Sequence, residues 1–250
     1  MNDLEYFKGK TYIITGGSSG IGKASSLLLA ERGASVISIG RTKLHLESVA
    51  LLHKNIKTIQ HDFSESGNIE HLVDKIKQFS CCIDGFVHCA GVIYTEPFET
   101  FRMHELRKME LVNVESGFEL LQKILIFMKE GSVIFVSSID AFFGAINPPS
   151  SGYALSKAAV IGLVRALASE LGDKKIRVNA VIPGLIKTQM TDDFFSESFA
   201  EERHKFLERV PLRRTGTPEE VARLIVFLLS DSASYITGDA IFIDGGYHVR

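Results

Sequence analysis

The stretch TYIITGGSSGIG, residues 11 to 22, decides the fold because it joins an apolar run to a glycine-rich turn and a helical start. The run Thr11–Thr15 is rich in β-branched and aromatic residues, as buried strands are. Glycines at positions 16, 20 and 22 permit a tight turn and a close approach of the backbone to a phosphate, which then rests on the helix N-terminus. A flexible surface turn is the alternative interpretation. The stretch therefore predicts a strand, turn and helix that bind phosphate.

The rest of the chain repeats this alternation of short β-branched runs and longer amphipathic stretches. The predicted strands are Thr11–Thr15, Ser35–Ile39, Thr58–Gln60, Gly85–His88, Ser132–Val136, Arg177–Val181 and Ala240–Ile243. The predicted helices are Gly20–Arg32, Lys43–His53, Gly67–Phe79, Met103–Met128, Tyr153–Leu171 and Pro218–Leu229. Several strands are apolar on both faces, as in a parallel sheet that helices cover. The alternation predicts a single-domain α/β fold over residues 1–250: a Rossmann-type doubly wound sheet of about seven parallel strands with helices on both faces.

The composition argues against several classes of partner. Of the 250 residues, 45% are hydrophobic and 23% are charged, and the formal net charge is -2. This charge gives no basis for binding nucleic acid or an anionic membrane, and the sequence has no apolar run of about 18 residues. The cysteines at positions 81, 82 and 89 lack the spacing of a metal site. We therefore expect a cytoplasmic protein with reduced thiols and no metal, nucleic-acid or membrane partner.

Ligands of a doubly wound sheet bind beyond the carboxyl ends of its strands, so the residues at those ends carry the functional information. Strand two ends in Gly40-Arg41-Thr42, without the acidic residue that would bind the ribose of NAD. Arg41 and Thr42 instead offer hydrogen-bond donors to the 2′-phosphate of NADP; a solvated surface arginine is the alternative. Strand three leads to Asp62 and Phe63, where the carboxylate either accepts from an adenine amino group or caps a turn.

Two further strand ends combine small residues with exposed backbone. Strand four is followed by Cys89, Ala90 and Gly91, whose small side chains let the backbone pass close to a ligand. Strand six runs into Pro183-Gly184, and the break exposes backbone amides near Ile186 and a hydroxyl at Thr188. These groups suit a carboxamide or a phosphate.

The pair Tyr153 and Lys157 stands at the start of an apolar helical run. Residues at i and i+4 share one helix face, so both polar groups can reach one bound molecule. A neighbouring positive charge lowers the pKa of a phenol from about 10 and makes it usable as a general acid or base. An exposed helix pair is the alternative. Ser138 follows strand five, so it would lie opposite this pair.

Taken together, these segments resemble the short-chain dehydrogenase/reductase family over nearly the whole chain. The cofactor loop of that family matches Gly16, Ser18, Ser19, Gly20, Ile21 and Gly22, and its catalytic set matches Asn113, Ser138, Tyr153 and Lys157 in order. Its nicotinamide-side segment matches Pro183, Gly184, Ile186 and Thr188, and its C-terminal signature matches residues 235–239 and 243–246. The other cofactor contacts implied are Arg41, Thr42, Asp62, Phe63, Cys89, Ala90 and Gly91 together with Tyr153 and Lys157.

The resemblance implies hydride transfer between nicotinamide and a carbonyl or secondary alcohol, with NADP(H) preferred over NAD. Ser138 would hydrogen-bond the substrate oxygen, and Tyr153 would donate or remove its proton. Lys157 would hold the nicotinamide ribose and lower the pKa of Tyr153. Asn113 would anchor a water that links Lys157 to solvent, although a helix kink or a satisfied core amide is the alternative.

Three segments depart from the family pattern or leave their role open. His88-Cys89 replaces the usual Asn-Asn, where the first residue braces neighbouring strands. Tyr153 follows Ser138 by fifteen residues, longer than in many members, and the extra length lies in 144–152. Asp140, two residues beyond Ser138, faces the substrate or shapes a turn. Residues 189–210 correspond to the substrate lid, or else form an ordinary amphipathic helix.

The substrate, partners and assembly follow only by resemblance. A resemblance to 3-oxoacyl-[acyl-carrier-protein] reductases is visible at residues 215–221, and Lys174, Lys175 and Arg177 offer some positive charge for an acidic carrier. A sugar, polyol or secondary-metabolite ketone is an equal alternative as the small-molecule substrate, and a non-catalytic NADP-binding sensor is the alternative to an enzyme. A homotetramer or homodimer would form through helices Met103–Met128 and Tyr153–Leu171.

Overall fold

The computed structural model describes residues 3–65, 68–144 and 148–249. Within these ranges seven parallel strands form one sheet in the order β3-β2-β1-β4-β5-β6-β7. The strands are β1 Thr11–Thr15, β2 Ser35–Gly40, β3 Ile56–Gln60, β4 Gly85–His88, β5 Gly131–Val136, β6 Ile176–Pro183 and β7 Ala240–Ile243. This order reverses at β1 and β4 and confirms the doubly wound α/β fold.

Helices connect successive strands, as parallel pairing requires. The α-helices are α1 Asp3–Tyr6, α2 Gly20–Glu31, α3 Lys43–Ala50, α4 Ile69–Lys77, α5 Met103–Glu110, α6 Ser116–Ile124, α7 Asp140–Phe143, α8 Ser151–Leu171, α9 Ala200–Arg209 and α10 Pro218–Leu229. Short 3₁₀ turns occupy Phe98–Thr100, Leu125–Phe127, Gly172–Lys174, Gln189–Phe195, Glu197–Phe199, Asp231–Ala233 and Tyr247–Val249. The predicted start of α4 at Gly67 lies outside the described residues, as do positions 145–147 of the lengthened segment.

The core lies on both faces of the sheet, because alternate side chains of a strand point to opposite sides. Tyr12 and Ile14 of β1 pack into a cluster with residues of α2 and α10, while Ile13 packs into the cluster that includes residues of α4, α6 and α8. All three side chains are fully buried. This two-sided burial accounts for the continuous apolar runs of the sequence.

The central strands end in register, which brings distant segments together. Thr15 at the end of β1 pairs with Ile39 of β2 on one side and with His88 of β4 on the other. Parallel strands all point the same way, so the turns that follow β1, β2 and β4 meet at one edge of the sheet. That edge holds the candidate site.

The predicted helix Met103–Met128 is wrong as a continuous α-helix. Residues Leu111–Glu115 form a π-helical segment between α5 and α6. The carbonyl of Val112 in this segment accepts hydrogen bonds from His88 Nε2 at 3.1 Å and from Ser116 Oγ at 3.0 Å. These bonds lie outside the regular helical ladder, and π segments of one turn often mark functional sites.

Candidate active site

A cavity of about 280 Å³ lies at the carboxyl ends of the central strands. Every residue that the sequence predicts for the site lines this cavity, with the exception of Asn113. Sequence reasoning missed further lining residues at several strand ends: His45, His61, Ser64, Val92, Val112, Val136 and Ser137. Gly40 at the predicted end of strand two and Gln189, Met190 and Thr191 of the predicted lid line the cavity as well. Most of these flank predicted positions, and only their place in the fold shows that they face the cavity.

The glycine loop after β1 is packed so closely that side chains do not fit. Gly16 has φ +66°, and a Cβ there would lie 2.8 Å from the backbone of Cys89 and Ala90. A Cβ on Gly22 would overlap the carbonyl oxygen of Gly16 and lie 2.7 Å from its carbon. Ser19, the N-cap of α2, makes no side-chain cap, so the first amides of the helix are open to a phosphate. The loop therefore fits the diphosphate of a dinucleotide.

The end of β2 shapes the part of the cavity where an adenosine ribose would lie. A Cβ on Gly40 would come 2.8 Å from Ser18 Oγ, so glycine keeps this wall open. Arg41 is exposed, and Thr42 is the N-cap of α3. His45, in the first turn of α3, also lines the cavity. The arginine is thus free to meet a charged group at this rim.

Asp62 serves the turn after β3 as well as lining the cavity. Its Oδ1 accepts from the Ser64 amide at 2.9 Å and from the Ser64 hydroxyl at 2.8 Å. Burial raises the pKa of Asp62, but the bonds from Ser64 and the charge of Arg41 outweigh it and lower the pKa overall. Asp62 Oδ1 therefore caps the turn, as the alternative interpretation predicts. The ionised carboxylate can still accept a hydrogen bond at the cavity.

Tyr153 and Lys157 lie in the first two turns of α8 and are both buried, with exposed fractions of 9% and 4%. The Lys157 ammonium donates to the carbonyl of Val136 at 2.8 Å and lies 5.6 Å from the centre of the Tyr153 ring. Burial lowers the pKa of Lys157 to about 8, and Cys89 opposes this shift. The same helix therefore presents a phenol and an ammonium to the cavity.

The expectation that Lys157 lowers the pKa of Tyr153 stays a prediction, because burial dominates the pKa of the phenol in this structure. Burial raises the pKa of the phenol, the charge of Asp140 raises it further, and the Ser138 hydroxyl lowers it. Both groups of the pair are desolvated, and desolvation disfavours the phenolate as well as the ammonium. The phenol is consequently held in its protonated form.

Asn113 does not line the cavity but supports its wall. The side chain is fully buried and brackets the backbone of Val92, accepting from its amide at 2.8 Å and donating to its carbonyl at 3.0 Å. It also donates to Ser156 Oγ at 2.9 Å. Asn113 lies in the π-helical segment, and its side-chain amide is hydrogen-bonded on both sides. The two alternatives to anchoring a water, a helix kink and a satisfied core amide, therefore both agree with the structure. The bracket fixes the chain next to Gly91 against α8.

His88 forms a hydrogen-bonded brace that sequence reasoning recognised only as a departure. The Val112 carbonyl can only accept, so His88 Nε2 carries the hydrogen and Nδ1 accepts from Thr15 Oγ1 at 2.9 Å. Thr15 Oγ1 accepts in turn from the Ala90 amide at 3.1 Å. Burial lowers the pKa of His88 to about 3, with Lys157 adding to the effect. The neutral imidazole thus ties β1, β4 and the π-helical segment together.

Two residues in the sequence, Gly117 and Thr15, are explained by this brace, but only the three-dimensional structure shows why. A Cβ on Gly117 would lie 2.7 Å from the His88 ring, so the glycine in α6 makes room for the imidazole. Thr15 is a polar residue with no exposed surface at the end of a central strand. A glycine inside a helix and a buried threonine are the residues that a close side-chain contact requires.

The predicted lid begins beside the cavity. Gln189, Met190 and Thr191 line it, and Thr191 Oγ1 donates to the carbonyl of Ile186 at 2.7 Å. Helix α9 follows without a buried residue, and Phe206 stacks on Tyr247 with ring centres 4.8 Å apart. The segment therefore contacts the cavity through its first turn. Through α9 it contacts the C-terminal turn Tyr247–Val249.

Two further findings concern residues 3–65, 68–144 and 148–249. None of the helices there combines the length and apolar character that crossing a lipid bilayer demands. In the same ranges no group of three or more His, Cys, Asp or Glu side chains is arranged to hold a metal ion.

The comparisons with known proteins agree with this geometry. The family model described as enoyl-(acyl carrier protein) reductase matches residues 16–248. The chain is 38% identical over 246 residues to a 3-oxoacyl-[acyl-carrier-protein] reductase, FabG, of Thermotoga maritima, with 96% of this chain and 98% of the relative covered.

Solved structures show the same similarity over their full length. A short-chain type dehydrogenase/reductase from Mycobacterium marinum is 32% identical with a TM-score of 0.89, and the match covers 99% of both chains. A protein from Beutenbergia cavernae, provisionally assigned as an NAD(P)-dependent gluconate 5-dehydrogenase and holding NADP at low occupancy, is 30% identical with a TM-score of 0.89 over 97% of this chain and 98% of that one. The chain belongs to the short-chain dehydrogenase/reductase family.

Proposed function

We propose that this oxidoreductase is an NADP(H)-dependent reductase of carbonyl compounds that uses Ser138, Tyr153 and Lys157 as catalytic residues. One observation carries the proposal: these three side chains line the same cavity as the glycine loop and the end of β2. Nicotinamide supplies the hydride when the cofactor is bound. The protein then has to orient the carbonyl and provide a proton.

The chain's own residues can meet both requirements. The Ser138 hydroxyl donates a hydrogen bond to the carbonyl oxygen and holds it beside the phenol. Because burial keeps Tyr153 protonated, the phenol can donate its proton to that oxygen as the alcohol forms. Lys157 would hold the ribose hydroxyls of the bound cofactor, and Asn113 supports the wall behind it through Val92 and Ser156. In the reverse direction the phenolate would remove the alcohol proton.

The preference for NADP over NAD rests on the rim formed by Gly40, Arg41 and Thr42. No acidic side chain follows β2 to bind the ribose hydroxyls of NAD or to repel a 2′-phosphate. Arg41 is exposed beside the cavity and can form charge-assisted hydrogen bonds to that phosphate. The remaining contacts proposed for the cofactor are the lining residues predicted from the sequence.

A turnover screen tests the proposed function directly. The purified protein is assayed with NADPH and with NADH in parallel against a panel of ketones, polyol ketones and 3-oxoacyl thioesters. We expect oxidation of NADPH with at least one carbonyl class, and weaker activity with NADH. Tight binding of NADP without turnover of any carbonyl would instead support the non-catalytic sensor.

Replacing Arg41 with Ala should weaken the use of NADPH selectively. A hydrogen bond to a charged group contributes about 1.5–3 kcal/mol, so kcat/KM for NADPH should fall about 10- to 100-fold. The value for NADH should change little because NADH lacks the 2′-phosphate. Lys43→Ala is the matched control, since Lys43 is exposed and pairs with Glu47 at 3.8 Å outside the cavity lining. Equal losses with both cofactors would contradict the assignment of Arg41.

A role as 3-oxoacyl-[acyl-carrier-protein] reductase is the second candidate, and the similarity to the Thermotoga maritima enzyme favours it. The basic rim is weaker than the sequence suggests, because Arg177 is only partly exposed and donates to the carbonyls of Ile236 and Ser230. Lys174 and Lys175 remain exposed. A 3-oxoacyl group on its carrier protein should be a better substrate than the same group on a small thiol if the carrier is recognised.

We also propose that the protein is a homotetramer or homodimer. Helix α8 exposes a face of small and apolar residues, including Leu155, Ala158, Ala159 and Gly162, and Phe118 of α6 is 45% exposed. Such a face suits close helix contact with another copy. Light scattering that gives the mass of one chain would contradict this assembly.

The exposed free thiols of Cys81 and Cys82 support a cytoplasmic location, where thiols stay reduced.

A further inference from the structure

Ser137 lies between the end of β5 and the proposed catalytic residue Ser138, and it is 3% exposed. Its main-chain amide donates to the carbonyl of Val181 in β6 at 2.9 Å, so the residue continues the pairing of the two strands. Its hydroxyl donates to the main-chain carbonyl of Lys157 in α8 at 2.8 Å. Ser137 thus joins the sheet to the helix that carries Tyr153 and Lys157, at the wall of the cavity.

The carbonyl of Lys157 does not need Ser137 to satisfy the backbone of the helix. Position 157 lies inside α8, where a carbonyl accepts from the amide four residues later along the chain. A carbonyl oxygen has two lone pairs, so the serine hydroxyl can bind the second. An alanine at position 137 would therefore leave this carbonyl with its helical partner. The hydroxyl adds a link between strand and helix that the helix itself does not require.

The same strand end also binds the other end of the lysine. The Lys157 ammonium donates to the carbonyl of Val136, the residue that precedes Ser137, at 2.8 Å. The main-chain carbonyl and the side-chain nitrogen of one lysine therefore contact two successive residues of β5 and its end. A lysine side chain loses much rotamer freedom when it is fixed. Two bonds from one strand end restrict both where the side chain starts and where its ammonium lies.

The position of the ammonium suits a ligand in the cavity. An ammonium has three donors, of which Val136 accepts from one, so the group can still donate to a ribose hydroxyl. A Cβ built on Gly91 would lie 3.5 Å from Lys157 Nζ, so the ammonium lies next to the small residues that follow β4. Lys157 and Gly91 both line the cavity. The two bonds to β5 therefore hold the ammonium at the cavity wall.

We propose that Ser137 is a positioning residue for Lys157: its hydroxyl fixes the lysine backbone against the end of β5, so that the ammonium is held where the nicotinamide ribose binds. This inference rests on the proposed function, in which Lys157 holds that ribose. Ser137 acts through the lysine, because its hydroxyl is bonded to the Lys157 carbonyl. Loss of the hydroxyl should therefore weaken the binding of the nicotinamide half of the cofactor and leave the adenosine half unaffected.

Calorimetric titration of Ser137→Ala with two ligands tests the inference. NADP contains the nicotinamide ribose, whereas adenosine 2′,5′-bisphosphate is the part of NADP that lacks it. The variant loses one neutral hydrogen bond, so the dissociation constant of NADP should rise about 2- to 10-fold. The dissociation constant of the bisphosphate should stay within about twofold of its original value, because the lost bond does not hold the adenosine half.

Ser132→Ala is the matched control, because Ser132 makes the same kind of bond at the other end of β5. It is 1% exposed, and its hydroxyl donates to the carbonyl of Leu228 in α10 at 3.0 Å, outside the cavity lining. Each variant should lower the midpoint of thermal unfolding by about 2–4 °C. Only Ser137→Ala should bind NADP more weakly. An equal loss of NADP affinity in both variants would show a role in stability alone and would overturn the inference.

The titration needs no turnover, so it separates this inference from the proposed function. If Ser137→Ala binds NADP selectively more weakly while the unmodified protein turns over no carbonyl, the reductase proposal fails and the inference holds. If carbonyls are reduced but Ser137→Ala binds NADP as tightly as before, or loses both ligands equally, the inference alone fails. In an active protein, kcat of Ser137→Ala at saturating NADPH should also fall about 3- to 10-fold. The KM of the ketone should change little, because Ser138 orients the ketone.

Discussion

Replacing Tyr153 with Phe is expected to lower kcat for carbonyl reduction by about 10²–10⁴-fold, the range that a positioned general acid contributes. The substitution removes only the hydroxyl, and the ring keeps its place in the first turn of α8, where it is 9% exposed. NADPH should therefore bind with nearly its original dissociation constant. Steady-state kinetics and equilibrium titration of the cofactor measure the two quantities separately.

A second tyrosine provides the control for this substitution. Tyr235 is fully exposed, so Tyr235→Phe removes a hydroxyl of the same kind far from the cavity lining. Its kcat should match that of the unmodified protein. Near-original turnover by Tyr153→Phe would end the assignment of the proton donor, whereas loss of both turnover and cofactor binding would point to damage of the fold.

Replacing Gly22 with Ala should reverse the usual effect of that change in a helix. Alanine normally stabilises a helix by about 1 kcal/mol relative to glycine. Here the added Cβ would overlap the carbonyl oxygen of Gly16, which belongs to the backbone and cannot rotate away as a side chain would. Relief requires movement of the loop, so we expect a loss of about 1–3 kcal/mol in the free energy of unfolding. NADP binding should weaken more than tenfold because the same loop holds the diphosphate.

Gly172→Ala is the matched control for this prediction. Gly172 ends α8 with φ -57° and ψ -44°, and a Cβ there would meet no atom within 4 Å. This variant should be unchanged or more stable and should bind NADP normally. Thermal unfolding and cofactor titration of both variants are compared. Equal behaviour of the two would show that the loop is not closely packed.

The elements of the fold could be predicted because their signals are local. The run at Thr11–Thr15 and the capped start of α10 at Thr217 and Pro218 appear where expected, and Thr217 and Glu220 form the reciprocal cap. The ends of elements were less accurate. Strand β3 begins at Ile56 rather than Thr58, and α3 ends at Ala50 rather than His53, because neighbours in the fold decide where pairing and helix ends fall.

The residues of the site could be predicted because the doubly wound topology fixes which segments of the chain follow the central strands. Once the chain alternates strands and helices, the segments after the central strands must meet at one edge, and the polar or small residues there stand out. Asn113 is the exception that shows the limit of this reasoning. Its position was found by resemblance, but its contacts with Val92 and Ser156 come from segments 21 and 43 residues away.

The sequence by itself determined the class of fold, the glycine loop, and many of the side chains that face the cavity at the strand ends. Only the tertiary structure decided the burial and the supports of those groups: the buried phenol of Tyr153, the neutral brace of His88 and the inward turn of Arg177. Hydrophobic periodicity is a property of neighbouring residues, so the sequence shows it directly. Desolvation and hydrogen bonding depend on atoms that folding brings together from distant parts of the chain, so they arise only in the folded protein.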